Sequence, residues 1–191
     1  ALLQGGRHVK TGHTWLVEID LEKFFDTVDH NRTMWLLSRR IGDKRLLKLI
    51  HRFLQAGMLE GGLISQRVAG TPQGGPLSPL ISNIILDELD KELERRGHRF
   101  VRYADDLRVF VRSEASAQRV MASMTRFIEE RMKLKVNRDK SKVCRNYETN
   151  FLGHGFLSDG RLFLSKESEA RLKARIRAVT KRNRGISLNR V

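Results

Sequence analysis

The chain has 191 residues, 40% of them hydrophobic, enough for one sizeable core, and 37 Lys and Arg against 22 Asp and Glu leave a formal net charge of +15. One cysteine excludes an internal disulfide, six dispersed histidines show no zinc-ligand spacing, and no apolar run of about 18 residues could cross a membrane as a helix. The charge points to a polyanionic partner, nucleic acid before membrane, because no helix pairs a basic face with a strong aromatic insertion face.

The opening residues, ALLQGGRHVK, lack an initiator Met and the apolar stretch of a signal peptide, so a piece of a longer intracellular protein is expected. TWLVEID at 14–20 alternates, with Trp15, Val17 and Ile19 on one face and Leu16, Glu18 and Asp20 on the other. It predicts a strand that ends on a carboxylate. Asp29 or a neighbour is positioned to cap a short helix carrying Met34, Trp35, Leu36 and Leu37, and Asp43 a second one through Leu54, with Gly57 past its end. From Glu60 to Gly75 glycines break the pattern. Within that stretch ISQRVAG reads as extended, and GTPQGGPLSP lacks the Gly-Lys-Ser/Thr ending of a P-loop.

Ser78 and Pro79 read as the cap and first position of a helix, with Leu80, Ile81, Ile84, Ile85, Leu89 and Leu93 at helical spacing and Gly97 as its stop. FVRYADDLRVFVR at 100–112 then predicts a β-hairpin with Asp105 and Asp106 at its tip. Ser113 opens another amphipathic helix. LKVNRDKSKVCR, NFLGHGF and RLFLS read as short strands, the last after an Asp-Gly turn. A basic helix from Glu167 to about Arg184 has a thin apolar stripe of Leu172, Ile176 and Val179. From Arg161 onward ten Lys or Arg face two Glu, a net of +8. The order predicts an α+β fold, a small antiparallel sheet packed on helices that cover one face. Two parts are expected, 1–165 and the basic helix region 166–191.

Adjacent carboxylates repel, and a divalent cation is a natural partner for hard oxygen ligands on a tight turn. An acidic surface turn is the competing reading of YADD alone. If the strand ending at Asp20 neighbours the hairpin, three carboxylates could hold two Mg²⁺ about 3.5–4 Å apart, the arrangement used for in-line phosphoryl transfer.

Five segments in order, VEIDLEKFFDTVDH at 17–30, GTPQGGPLSPLISNIILDELD at 70–90, RYADDLRVFVRS at 102–113, LKVNRDKSKV at 134–143 and NFLGHGF at 150–156, carry a specific resemblance. The chain resembles the reverse transcriptase domain of bacterial group II intron-encoded proteins, the intron maturases. The resemblance implies a polymerase-type palm with part of the fingers and the start of a thumb. It implies an RNA-directed DNA polymerase in the bacterial cytoplasm that works on an RNA template, intron RNA, a DNA primer and dNTPs. It matches Asp20, Asp105 and Asp106 to catalytic, metal-binding aspartates for two Mg²⁺, with Mn²⁺ as a substitute, and the Leu21 carbonyl to a further ligand. Phe25 matches the ring under the incoming sugar, Gln73 and Ala104 match positions at the nucleotide, and Lys140 matches a general acid for pyrophosphate. Ordinary readings stand beside these: Phe25 as a core aromatic, Pro72 to Gly75 as a turn, Lys140 as a solvated lysine, and His30 and His154 as structural. A non-enzymatic splicing cofactor, or a reverse transcriptase of a retron, diversity-generating or defence element, are the alternatives. Without fingers motifs ahead of it, the stretch alone is expected to polymerise weakly or not at all.

Overall fold

The computed structural model describes residues 1–56, 58–60, 63–65, 70 and 77–181. Its centre is a four-stranded antiparallel sheet, in which β1 (Trp15–Ile19) lies between β5 (Asp106–Val111) and β6 (Lys142–Arg145), and β4 (Arg99–Tyr103) edges β5. The register pairs Glu18 with Arg108 and Ile19 with Leu107 on one side of β1, and Leu16 with Cys144 on the other.

Period-two alternation sends Val17, Ile19, Leu107 and Val109 to one face. That face packs on α5 (Ser78–Arg95) through Ile81, Ile85 and Leu89, and on α6 (Glu114–Arg126) through Val120 and Met124. The opposite face is covered too, contrary to the one-faced sheet read from the sequence. Leu16, Phe110 and Cys144 there meet Val9 of α1 (Leu2–Lys10) and the rings of Phe151 and Phe156. Helix α1 is absent from the sequence reading, because Gly5 and Gly6 are poor helix formers. Their use is tertiary: a Cβ on Gly5 would lie 2.7 Å from Phe156, and one on Gly6 only 2.3 Å from the Gly160 carbonyl oxygen. Gly160 turns between β7 (His154–Phe156) and β8 (Leu162–Leu164), which pair antiparallel.

Local chemistry sets most helix starts. Asp29 accepts from the Arg32 N–H to cap α3 (His30–Ser38), after the single turn α2 (Phe24–Thr27), and Asp43 accepts from Arg45 and Leu46 to cap α4 (Lys44–Gln55). Ser113 does the same for α6, which widens into a π-turn at Phe127–Arg131. At α5 the expectation shifts by one: Leu77 occupies the cap, Ser78 is the first helical residue, and Leu80 points to solvent. Gly97 ends that helix at φ +69°, with the His98 N–H returning to the Leu93 carbonyl.

LKVNRDK is not a strand. Only Val136 bridges, to Leu21, because Asn137 Oδ1 accepts from the Asp139 and Lys140 N–H groups and folds the segment into an Asx turn. NFLGHGF forms a strand only at His154–Phe156, with Phe151 bridging back to His154. The last helix, α7 (Lys166–Val179), starts from a Ser165 cap and buries none of its residues, so Leu172 and Ile176 are half exposed. Strands β2 (Met58–Glu60) and β3 (Leu63–Ser65) form a short hairpin where the sequence read broken pattern. Gly57 lies outside the described residues, as do 61–62, 66–69, 71–76 and 182–191. Among the described residues no helix is long and apolar enough to cross a membrane.

Candidate active site

The β4–β5 hairpin ends on the pair Tyr103 and Asp106, leaving Ala104 and Asp105 as its two-residue tip. Ala104 has φ +54°, a left-handed backbone that carries strain for a residue with a Cβ. Arg102 holds it there. Its Nη1 donates to the Ala104 carbonyl at 2.7 Å and to Asn83 Oδ1 at 3.0 Å, while Nε and Nη2 grip Asp90 of α5 at 2.8 and 2.5 Å. The forked guanidinium thus ties the tip to the helix behind it.

Asp20 directly follows β1, one position beyond the Ile19 and Leu107 pair, so it stands beside Asp106 on the same face. The turn after Asn137 fixes its backbone: the Asp20 N–H donates to Ser141 Oγ at 3.0 Å and its carbonyl accepts from the Asn137 N–H at 2.9 Å. Leu21 is buried against Val136. Asp20, Leu21 and Lys140 line one open cleft of about 640 Å³, whereas Ala104 lines another with Arg102 and Tyr103. Phe25 is partly buried on the main core, edge-on to Phe24 at 5.4 Å between ring centres. Gly70, at φ +89°, lies against the Phe25 backbone, where a Cβ would meet the Phe25 carbonyl oxygen at 2.8 Å. This brings the start of the 70–79 loop beside Phe25; Gln73 itself lies outside the described residues.

Two arginines that the sequence reading passed over organise the acids. Arg108 is 8% exposed, donates to Asp106 Oδ1, and lies 3.2 Å from Glu18 and over the Phe151 ring at 5.5 Å. Glu18, 6% exposed, also accepts from Thr149 and has Lys142 at 3.8 Å. Burial raises the Asp106 carboxyl above its ordinary value, and the Arg108 guanidinium opposes that rise. Arg102 directly precedes YADD and Arg108 lies two positions past it in RYADDLR, the signal that could have found them.

Among the described residues no group of three His, Cys, Asp or Glu is close enough to hold one metal ion. By donor type and strand position Asp20, Asp105 and Asp106 suit a hard divalent cation. Arg108 already engages Asp106 Oδ1. His30, buried, donates Nε2 to the Gly70 carbonyl at 2.6 Å, and His154 Nδ1 donates to Leu152, so both serve the fold.

Residues 4–156 match the family described as reverse transcriptase (RNA-dependent DNA polymerase). The chain belongs to the reverse transcriptase family. It is 35% identical over 137 residues to the group II intron-encoded protein LtrA of Lactococcus lactis subsp. cremoris, covering 72% of this chain and 22% of that protein. Protein YkfC of Escherichia coli (strain K12) is 31% identical, covering 76% and 47%, and the retron Mx65 reverse transcriptase of Myxococcus xanthus is 30% identical, covering 88% and 43%. The chain therefore spans less than half the length of these relatives. Apo telomerase from Candida tropicalis superposes with a TM-score of 0.64 at 11% identity, over 86% of this chain and 35% of that one, which is likeness of fold alone. The sheet and its helices form the palm-type reverse transcriptase fold.

Proposed function

We propose that this reverse transcriptase domain extends a DNA primer on an RNA template and serves a group II intron in splicing and retrohoming. The observation that carries the reading is the adjacency of β1 and β5, which sets Asp20 and Asp106 side by side at one end of the sheet. Asp20, Asp105, Asp106 and the Leu21 carbonyl would hold two Mg²⁺, or Mn²⁺ in their place, and these ions supply the Lewis acidity that activates the primer 3′-hydroxyl and offsets the triphosphate charge.

The remaining roles belong to the chain. Phe25 excludes a 2′-hydroxyl beneath the incoming sugar, Gln73 and Ala104 border the nucleotide, and Lys140, exposed on the cleft that Asp20 lines, gives a proton to the departing pyrophosphate. The 3′-oxygen bonds to the α-phosphorus as the bond to pyrophosphate breaks. Arg102 and Arg108 position the hairpin and its second acid.

In the whole protein, Asp105→Asn abolishes Mg²⁺-dependent dNTP incorporation while thermal unfolding and RNA binding stay near those of the parent. Normal primer extension by that variant sinks the assignment. A retron-type reverse transcriptase is the second reading, favoured by the 88% of this chain that aligns with the Myxococcus enzyme. Synthesis primed from an RNA 2′-hydroxyl rather than a DNA 3′-end would separate the two.

A further inference from the structure

The end of the sheet remote from Asp20 holds an open cleft of about 540 Å³. Arg99 opens β4, Arg112 follows β5, Arg119 rises from α6, and His13 and His98 complete the rim. Phe110 and Val120 form an apolar floor, and the Ser116 and Ser123 hydroxyls add neutral polar groups, the Ser123 one already donating to the Val120 carbonyl. No Asp or Glu lines it.

Among the described residues the Arg99 and Arg112 side chains have no hydrogen bond or ion pair, and that of Arg119 reaches only Ser116 Oγ at 3.2 Å. Four arginines elsewhere, Arg32, Arg96, Arg102 and Arg108, each hold a carboxylate. The unmatched charges act on one another. Burial, then Arg112 and Arg99, lowers the His13 imidazole below its ordinary value. Burial, then Arg99 and His13, lowers His8, whose ring lies tilted against Phe110 and whose Nε2 has no partner among the described residues. Clustered cations with free forked donors suit phosphate oxygens, which accept two N–H groups from one guanidinium.

We propose that this cleft binds the phosphate backbone of RNA at a site separate from the polymerising end. Arg112 lies six residues beyond Asp106 along an extended strand, a span of about 20 Å at roughly 3.4 Å per residue. A nucleotide at the catalytic end does not reach it. Phe110 is 1% exposed and offers no face for a base, so binding is to the backbone and independent of sequence. The same absence argues against a free mononucleotide. The inference rests on the polymerase reading only in choosing RNA among polyanions.

The test uses the whole protein with Arg99→Gln and Arg112→Gln combined, and Arg119→Gln separately. These side chains are exposed, and thermal unfolding checks that each variant folds. Long RNA binding, followed by fluorescence anisotropy across a salt series, weakens on the order of tenfold at low salt in the double variant. Its slope of log affinity on log salt becomes shallower by about 1.4, roughly 0.7 for each single-strand phosphate that an arginine no longer neutralises. Arg→Lys at both positions restores most of the slope, and dNTP incorporation on a primer–template too short to reach the cleft is unchanged. Unaltered affinity and slope overturn the proposal. So does an equal loss on short and long substrates, or a loss confined to anionic vesicles. Should every variant and the parent fail to incorporate dNTPs while the slope still changes, the polymerase reading falls and the RNA site stands.

Discussion

Arg108 lies two residues beyond Asp106 on the same face of β5 and grips that carboxylate while also holding Glu18 at 3.2 Å. One guanidinium therefore neutralises two acids from neighbouring strands. Removing it leaves Glu18 buried beside Asp106 with like charge. Arg108→Met should destabilise the whole protein by about 3 kcal/mol, the usual cost of orphaning a buried ionic partner, with partial recovery on adding Glu18→Gln. Urea unfolding of the two variants checks this, and equal stability of Arg108→Met and the parent would count against the pairing.

The Gly6 and Gly160 backbones meet too closely for any side chain, whereas Gly12, at φ +87°, has nothing within 4 Å of a built Cβ. Gly6→Ala should cost upward of about 1–3 kcal/mol through overpacking, and Gly12→Ala about 1 kcal/mol from backbone strain alone. Thermal melts should rank Gly6→Ala as the more damaging; the reverse order would contradict the close approach.

Glu92 on α5 accepts from Arg95 at 2.8 Å and from Arg96 at 2.6 Å, and these bonds, the Arg95 pair foremost, hold its carboxyl down to about 2 from an ordinary 4.5. A depressed folded value means the contribution is present above pH 4.5 and is lost as pH falls toward 2. Solvent screening of the exposed Arg95 keeps it within about 1 kcal/mol. Glu92→Gln should thus lower stability at neutral pH but converge with the parent near pH 2. A constant gap across a pH series of melts would rule out the linkage.

If Phe25 is the sugar gate, Phe25→Ala raises rNTP incorporation relative to dNTP without abolishing dNTP use. Its partial burial on Phe24 adds a stability loss of about 1–3 kcal/mol, so the ratio of the two substrates, not total activity, is the measurement. An unchanged ratio assigns Phe25 to the core alone.

What was legible in the sequence follows the range of the physics. Caps at Asp29, Asp43 and Ser113 act over two or three residues and were readable as written. The YADD hairpin was readable for the same reason. The placing of Asp20 beside Asp106, 86 positions away, follows from strand order that no local pattern carries, and only the ordered motifs suggested it. Arg102 and Arg108 escaped because their partners, Asp90 and Glu18, are made neighbours by the sheet and α5. Helix α1 escaped because its glycines answer to Phe156 and Gly160, not to their own helix. The NRDK strand failed because Asn137 offers its own N–H acceptor, and turn chemistry overrode the alternation on either side.

The meeting of Gly6 with Gly160 also sets an order of assembly on the ribosome. Its two sides are 154 positions apart, so α1 can meet β4 and β5 well before the last part of its docking place, at β7 and Gly160, exists. Until then Val9, Leu16 and Phe110 have no Phe156 to close over them, and the sheet face that will carry Asp20 and Asp106 is covered only in part. Nascent chains halted before residue 160 should therefore be digested by protease within the first strands, long after α5 and α6 have covered the other face.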